Sequence, residues 1–245
     1  MYIPEDLEHR IERAVQLFWS IRDRQIARQE GARLRERGGR GAVTGGKQLD
    51  GFIELIRDTL MLNGVLEDRI FHDADLELPG FYRPNKKWDL LVVAEGRLVA
   101  AIEFKSQVGP SFGNNFNNRT EEAIGSALDL WTAYREGVFG TQSAPWLGYF
   151  MLLEDCQSSS MPVRARSPHF DVLEEFMDTS YKERYEIFCR KLILERQYSA
   201  ACLLTASRGG SIPSYSQPRE ELSCRAFITS LLGTVAAHMQ GGKGG

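Results

Sequence analysis

Asp89, Glu103 and Lys105 sit where a single chain reversal would gather them. Two apolar runs, Leu90–Val93 and Leu98–Ile102, flank Ala94-Glu95-Gly96-Arg97, and Glu95-Gly96 supplies the punctuation of a β-hairpin with buried strands. Asp89 opens the first strand. Glu103 and Lys105 close the second, two residues apart and so on one face. In an antiparallel pair the start of one strand lies beside the end of the next. The hairpin therefore collects two carboxylates and an ammonium at one end of a sheet. Two carboxylates make a hard oxygen site suited to Mg²⁺, an ion that keeps several waters and favours phosphate substrates. A lysine beside that ion can orient or deprotonate a water, or offset charge on phosphorus. The plainer alternative is that charges at strand ends simply meet water.

The elements around the hairpin follow from periodicity and punctuation. Residues 6 to about 29 carry helical spacing through Leu7, Ile11, Val15 and Phe18-Trp19. A second helix is expected from Asp50, as its cap, to Asn63-Gly64, with Phe52, Ile53, Leu55, Ile56, Leu60 and Leu62 inward. Weak strands are expected at Ile70-Phe71 and Leu76–Leu78. The stretch Gly109–Arg119 reads as a long loop. Asn118 with Glu121 forms a capping box opening a helix to about Glu136. Trp146–Leu153 and Ala200–Thr205 read as buried strands. Ser180 with Glu183 opens a helix to about Gln197, and a last helix covers Glu221–His238 before a loose tail at 240–245. This order suggests an α/β fold with a mixed central sheet flanked by helices. It shows no domain boundary, so residues 1–245 are expected to form one domain.

Bulk properties remove several classes. The chain is 42% hydrophobic and 26% charged, ordinary for a water-soluble globular protein. No apolar run of transmembrane length exists, and the acidic start Met1–Asp6 lacks a signal core, so a cytoplasmic protein with no membrane partner is expected. The cysteines (Cys156, Cys189, Cys202, Cys224) form no Cys-x-x-Cys pair and are expected to be reduced thiols.

Net charge is −3, yet charge is unevenly placed. From Arg22 to Lys47 there are eight basic residues against three acidic ones, interleaved with glycines. A flexible arm at about 28–47 carrying Arg33, Arg35, Arg37 and Lys47 would suit phosphate contacts on a nucleic acid. Beyond Lys105, Asn114, Asn115, Asn117, Asn118 and Arg119 form a dense set of base-edge partners, since asparagine pairs with adenine and arginine with guanine. Asn and Gly are also common turn formers, so turn-making is the competing reading. Glu54, on the helix before the sheet, is a candidate third carboxylate.

Asp89 followed by Glu103-Phe104-Lys105 resembles the PD-(D/E)xK nuclease signature, with Trp88 in place of the usual proline. The longer string Phe81–Pro84, Trp88-Asp89, Glu103-x-Lys105-Ser106, Val108–Arg119 and Glu121–Gly125 is similar to the XhoI-like type II restriction endonucleases. Thr44–Lys47 with Asp50–Phe52, Tyr134–Gly137 and Glu154–Cys156 fit the same family, so the resemblance runs from about Gly45 to Ala206. It implies a restriction-endonuclease-like core and a Mg²⁺-dependent homodimer that cuts double-stranded DNA at a palindrome, CTCGAG. It also implies a methyltransferase that protects host DNA. It makes Asp89 and Glu103 metal ligands, here with the backbone carbonyl of Phe104, and puts Lys105 at the attacking water. Two rivals remain open on sequence: a repair nuclease without site preference, and a catalytically dead DNA-binding module on the same scaffold.

Overall fold

The computed structural model describes residues 1–35, 47–209 and 213–241. Among the described residues six strands form the main sheet in the order β1-β4-β5-β6-β7-β8: β1 Ile70–Phe71, β4 Leu90–Ala94, β5 Arg97–Gln107, β6 Trp146–Glu154, β7 Ala200–Ser207 and β8 Ser214–Ser216. The three central strands β5, β6 and β7 run parallel, and the outer pairings are antiparallel. A separate two-stranded ribbon, β2 Glu77–Pro79 with β3 Asn85–Lys87, stands just before β4. The helices are α1 Leu7–Arg35, α2 Asp50–Leu62, α3 Phe112–Arg135, the single-turn α4 Gln157–Ser160, α5 Tyr181–Leu194 and α6 Cys224–Gly241.

Apolar side chains lie on both faces of the sheet. On one, Ile102 and Phe104 of β5 pack with α1, α2 and α6. On the other, Ala101 joins Tyr149, Tyr185, Phe188 and Tyr198 beneath α3 and α5. Central strands covered on both sides must be apolar almost throughout, and Trp146–Leu153 is fully buried for that reason. Alternation along β5 then turns Glu103, Lys105 and Gln107 to the α3/α5 side.

The hairpin forms as its sequence requires. Glu95 and Gly96 both have positive φ, 54° and 72°, the left-handed pair that a tight two-residue turn between right-twisted strands demands. The Ser180–Glu183 capping box is also present: Glu183 N–H donates to Ser180 Oγ at 3.3 Å, and Ser180 N–H to Glu183 Oε2 at 2.7 Å.

Several expectations are corrected. The expected loop at 109–119 is helical from Phe112, with Ser111 as N-cap, so Asn118 caps nothing and lies inside α3. Packing outweighs the poor helix propensity of Asn and Gly. Phe112 stacks on Tyr181 at 5.7 Å, and Phe116, one turn on, meets Tyr185 edge-on at 5.0 Å. Gly113 serves this contact, since a Cβ there would lie 2.8 Å from the Tyr181 hydroxyl. Asp50 is the first residue of α2 rather than its cap, which is Leu49, and Leu62, at the helix end where packing stops, is exposed rather than inward. Helix α5 stops at Leu194, and α6 starts at Cys224 after a 3₁₀ turn at Glu220–Leu222. Helix α1 continues to Arg35, beyond the expected end near residue 29, so Arg33 and Arg35 belong to its last turns. Arg37, most of the basic arm and tail residues 242–245 lie outside the described residues.

Candidate active site

The β4–β5 hairpin brings Asp89 beside the end of β5. Asp89 N–H donates to the Ile102 carbonyl at 3.2 Å, and the Phe104 N–H donates to Asp89 Oδ2 at 2.7 Å. Glu103 is 2% exposed, yet its carboxylate is densely partnered. Oε1 meets Lys105 Nζ at 2.8 Å and Lys86 Nζ at 3.2 Å, while Oε2 faces the Tyr198 hydroxyl at 3.3 Å. Burial alone would raise the Glu103 pKa, but Lys105 and Lys86 outweigh it and hold the carboxyl below its ordinary range. Asp89 is in the opposite condition. Burial raises its pKa further than the Phe104 N–H and Lys105 lower it.

Glu103, Lys105 and Lys86 open on a cleft of about 720 Å³, whose lining does not include Asp89. The β2–β3 ribbon contributes Lys86 and Lys87 to it, β5 contributes Glu103 and Lys105, and α3 contributes Glu121, Glu122 and Asp129. Glu122 on the cleft wall is flanked by two cations, of which Lys105 also lines the cleft. Arg119 pairs with Glu122 Oε2, and Glu122 lies 3.9 Å from Lys105 Nζ. Asp129, its side chain 5% exposed, fastens the opposite rim: Oδ1 accepts the Phe81 and Tyr82 N–H groups at 2.8 Å each, and Oδ2 accepts Arg83 Nε at 2.7 Å.

Sequence reasoning brought Asp89, Glu103 and Lys105 together, and the structure does too. It places Asn114, Asn117 and Asn118 on the exposed face of the first turns of α3, with Asn115 and Arg119 half-buried. Glu54 lies elsewhere, in a surface depression with Arg10, Arg13 and Asp58 between α1 and α2. Lys47 is exposed and does not line the cleft. Lys86, Tyr198, Glu122 and Asp129 were missed. Lys86 had a signal, because it stands three residues before Asp89 and alternates with Trp88 in an extended stretch. Tyr198 had none, being joined to Glu103 only by the fold.

The donor set fits a hard divalent cation. Two carboxylates, with the backbone carbonyl of Phe104 next to Glu103, would offer an ion oxygen ligands alone. Asp89 is short of positive partners, and the positive charge now on Glu103 comes from ammoniums, the kind of charge a metal ion would replace. Among the described residues no cluster of three or more His, Cys, Asp or Glu side chains could hold a metal, so any ion here would keep water ligands. No helix among the described residues is long and apolar enough to cross a membrane.

A mixed sheet between helical layers, with two carboxylates and a lysine at the end of its central hairpin, defines a restriction-endonuclease-like nuclease fold. The family model "Restriction endonuclease XhoI" matches residues 28–217, and the chain belongs to that family. It is 50% identical over 208 residues to the type II restriction enzyme BstVI of Geobacillus stearothermophilus, covering 82% of this chain and 93% of that protein. It is 46% identical over 209 residues to the type II restriction enzyme XhoI of Xanthomonas vasicola, covering 82% and 83%. With AbrI of Azospirillum brasilense, also a type II restriction enzyme, it shares 49% identity over 166 residues, covering 67% and 74%. No solved structure matches.

Proposed function

We propose that this restriction endonuclease hydrolyses double-stranded DNA at the palindrome CTCGAG, using Mg²⁺ held by Asp89, Glu103 and the Phe104 carbonyl, and leaves 5′-phosphate ends. The observation that carries the reading is the convergence of two carboxylates and an ammonium at the hairpin end: the Phe104 N–H donates to Asp89 Oδ2 at 2.7 Å, and Lys105 Nζ lies 2.8 Å from Glu103 Oε1. Mg²⁺ bound there would polarise the scissile phosphate and lower the pKa of a bound water. Lys105, 23% exposed and opening on the cleft, would orient the attacking water in line with the scissile bond and offset charge on phosphorus. Glu103 holds the Lys105 ammonium in place for this task.

The exposed amides of Asn114, Asn117 and Asn118 form one stripe along α3, at i, i+3 and i+4, beside the cleft. They and Asn115 are the base readers in this reading. Arg119 joins them only by leaving Glu122. Arg33, Arg35, Arg37 and Lys47 contact phosphates. A palindrome cut on both strands requires two sites related by a two-fold axis, so the active species is a homodimer of single nuclease domains. It works in the cytoplasm, with a methyltransferase protecting the same site in host DNA.

The test is incubation with Mg²⁺ and a plasmid of known sequence, followed by mapping of fragment ends. Cuts confined to CTCGAG are expected, and Asp89→Ala or Glu103→Ala should abolish cutting while DNA retention persists, because phosphate and base contacts supply most affinity. Ends scattered over the plasmid, or near-normal cutting by either variant, would refute the reading.

A further inference from the structure

Lys86 lies outside the Asp89–Glu103–Lys105 set, yet it shares an oxygen with it. Its Nζ is 3.2 Å from Glu103 Oε1, the atom that Lys105 Nζ approaches at 2.8 Å. The ammonium also sits 4.3 Å above the Trp88 ring and donates to the Lys87 carbonyl at 3.2 Å. Its side chain is 12% exposed and Trp88 is 1% exposed, so this is a sheltered charge on an aromatic floor.

For stability alone this arrangement is extravagant. Lys105 already neutralises Glu103. A second buried ammonium on the same oxygen adds desolvation and like-charge repulsion. Asp89 offsets the charge of the group as a whole, but both ammoniums converge on one oxygen of Glu103, and that concentration suits a carboxylate built to face more positive charge than one lysine provides, as a divalent ligand must. Lys86 is also mounted differently from Lys105. It belongs to the two-stranded β2–β3 ribbon, not to the central sheet, so it can leave Glu103 without breaking a main-sheet hydrogen bond.

We infer that Lys86 is a positioning residue that neutralises and aims Glu103 in the free protein and would compete with a divalent ion for that carboxylate. The inference rests on the reading of Asp89 and Glu103 as metal ligands. Lys86 then acts as an internal competitor. It keeps a buried carboxylate neutralised and aimed, and it weakens metal binding before substrate arrives.

The experiment is a Mn²⁺ titration of the DNA-free full chain, with free Mn²⁺ read by its electron paramagnetic resonance signal. It compares wild type, Lys86→Met and Glu103→Gln. Methionine keeps an apolar stem on Trp88 and removes the charge; Lys86→Gln is the second uncharged variant, and thermal unfolding confirms that each folds. Removing a like charge from beside the ion should tighten Mn²⁺ binding about tenfold in both Lys86 variants, while Glu103→Gln should lose it. Unchanged affinity in both Lys86 variants, with Glu103→Gln impaired, overturns the role of Lys86 and leaves the metal reading standing. Mn²⁺ binding that survives Glu103→Gln overturns the metal reading, and the competitor role falls with it.

Discussion

Asp129 holds the rim of the cleft through three bonds that can be removed separately. Asparagine with its amide oxygen in the Oδ1 position keeps both the Phe81 and Tyr82 N–H bonds and loses only Arg83, whose Nε–H then faces an NH₂ group. Arg83 is 43% exposed and regains water, so Asp129→Asn should cost about 0.5–1.5 kcal/mol. Alanine removes all three bonds. The Phe81 and Tyr82 bonds are only part-buried, so the total should stay near about 2–3 kcal/mol. Urea unfolding gives these values, and native-state amide exchange locates them. Exchange at Phe81 and Tyr82 should accelerate at least about tenfold in Asp129→Ala but little in Asp129→Asn. The pH dependence has a definite sign. Burial would raise the Asp129 carboxyl, but the Tyr82 and Phe81 amides and Arg83 together hold it below its ordinary value. A depressed folded pKa contributes stability above the unfolded carboxylate pKa of about 3.9 and loses it as pH falls through the lower folded value. The gap between wild type and Asp129→Asn should therefore be constant near neutrality and close below about pH 4. Equal cost for Asn and Ala, or unaltered exchange at Phe81 and Tyr82, would refute the assignment.

Tyr198→Phe removes a hydroxyl that has one proton for two acceptors, the Ala123 carbonyl at 3.0 Å and Glu103 Oε2 at 3.3 Å. It should lower stability by about 1–2 kcal/mol and slow single-turnover cleavage with DNA affinity unchanged; equal rate and stability would show the contact to be idle. Gly148→Ala should destabilise by about 1–3 kcal/mol or more in urea, since a Cβ there would lie 2.4 Å from the Trp146 ring and 2.7 Å from that of Phe227. Lys105→Arg keeps the charge but replaces a point with a planar fork, so cleavage should fall sharply with little change in binding; full activity would make Lys105 a plain surface charge. Arg119→Ala should cost about 1–3 kcal/mol of discrimination at one guanine per half-site in a competition assay against all single-base variants. A uniform loss at every variant would assign Arg119 to a phosphate, or to its ion pair with Glu122.

Local rules made the hairpin legible. Glu95-Gly96 can take the turn, and apolar runs on each side can only be buried strands, so the approach of Asp89 to Glu103 followed without tertiary knowledge. The same rules failed at Gly109–Arg119, where four asparagines and two glycines speak for a loop. Phe112 and Phe116 pull that segment into a helix through contacts with Tyr181, Tyr185 and Phe188, some 65–72 residues away in sequence. Lys86 was hidden for a related reason: Pro79-Gly80 and Pro84-Asn85 read as loop punctuation, while the chain between them turns to pair Leu78 with Lys86. Tyr198 and Asp129 act across 95 and 46–48 residues, and no spacing rule reaches that far.

The main sheet ends in very short strands, two residues in β1 and three in β8. An edge that brief offers too few free backbone groups for another chain to continue the ladder, which guards against open-ended, fibre-like stacking. It also restricts how two copies can meet. Among the described residues the short edges of the main sheet disfavour a paired assembly built as one continuous sheet and favour contact through side chains on helices and loops. The spacing between two cutting centres would then be set by how helices dock, and could shift between related enzymes without disturbing the sheet that holds each centre.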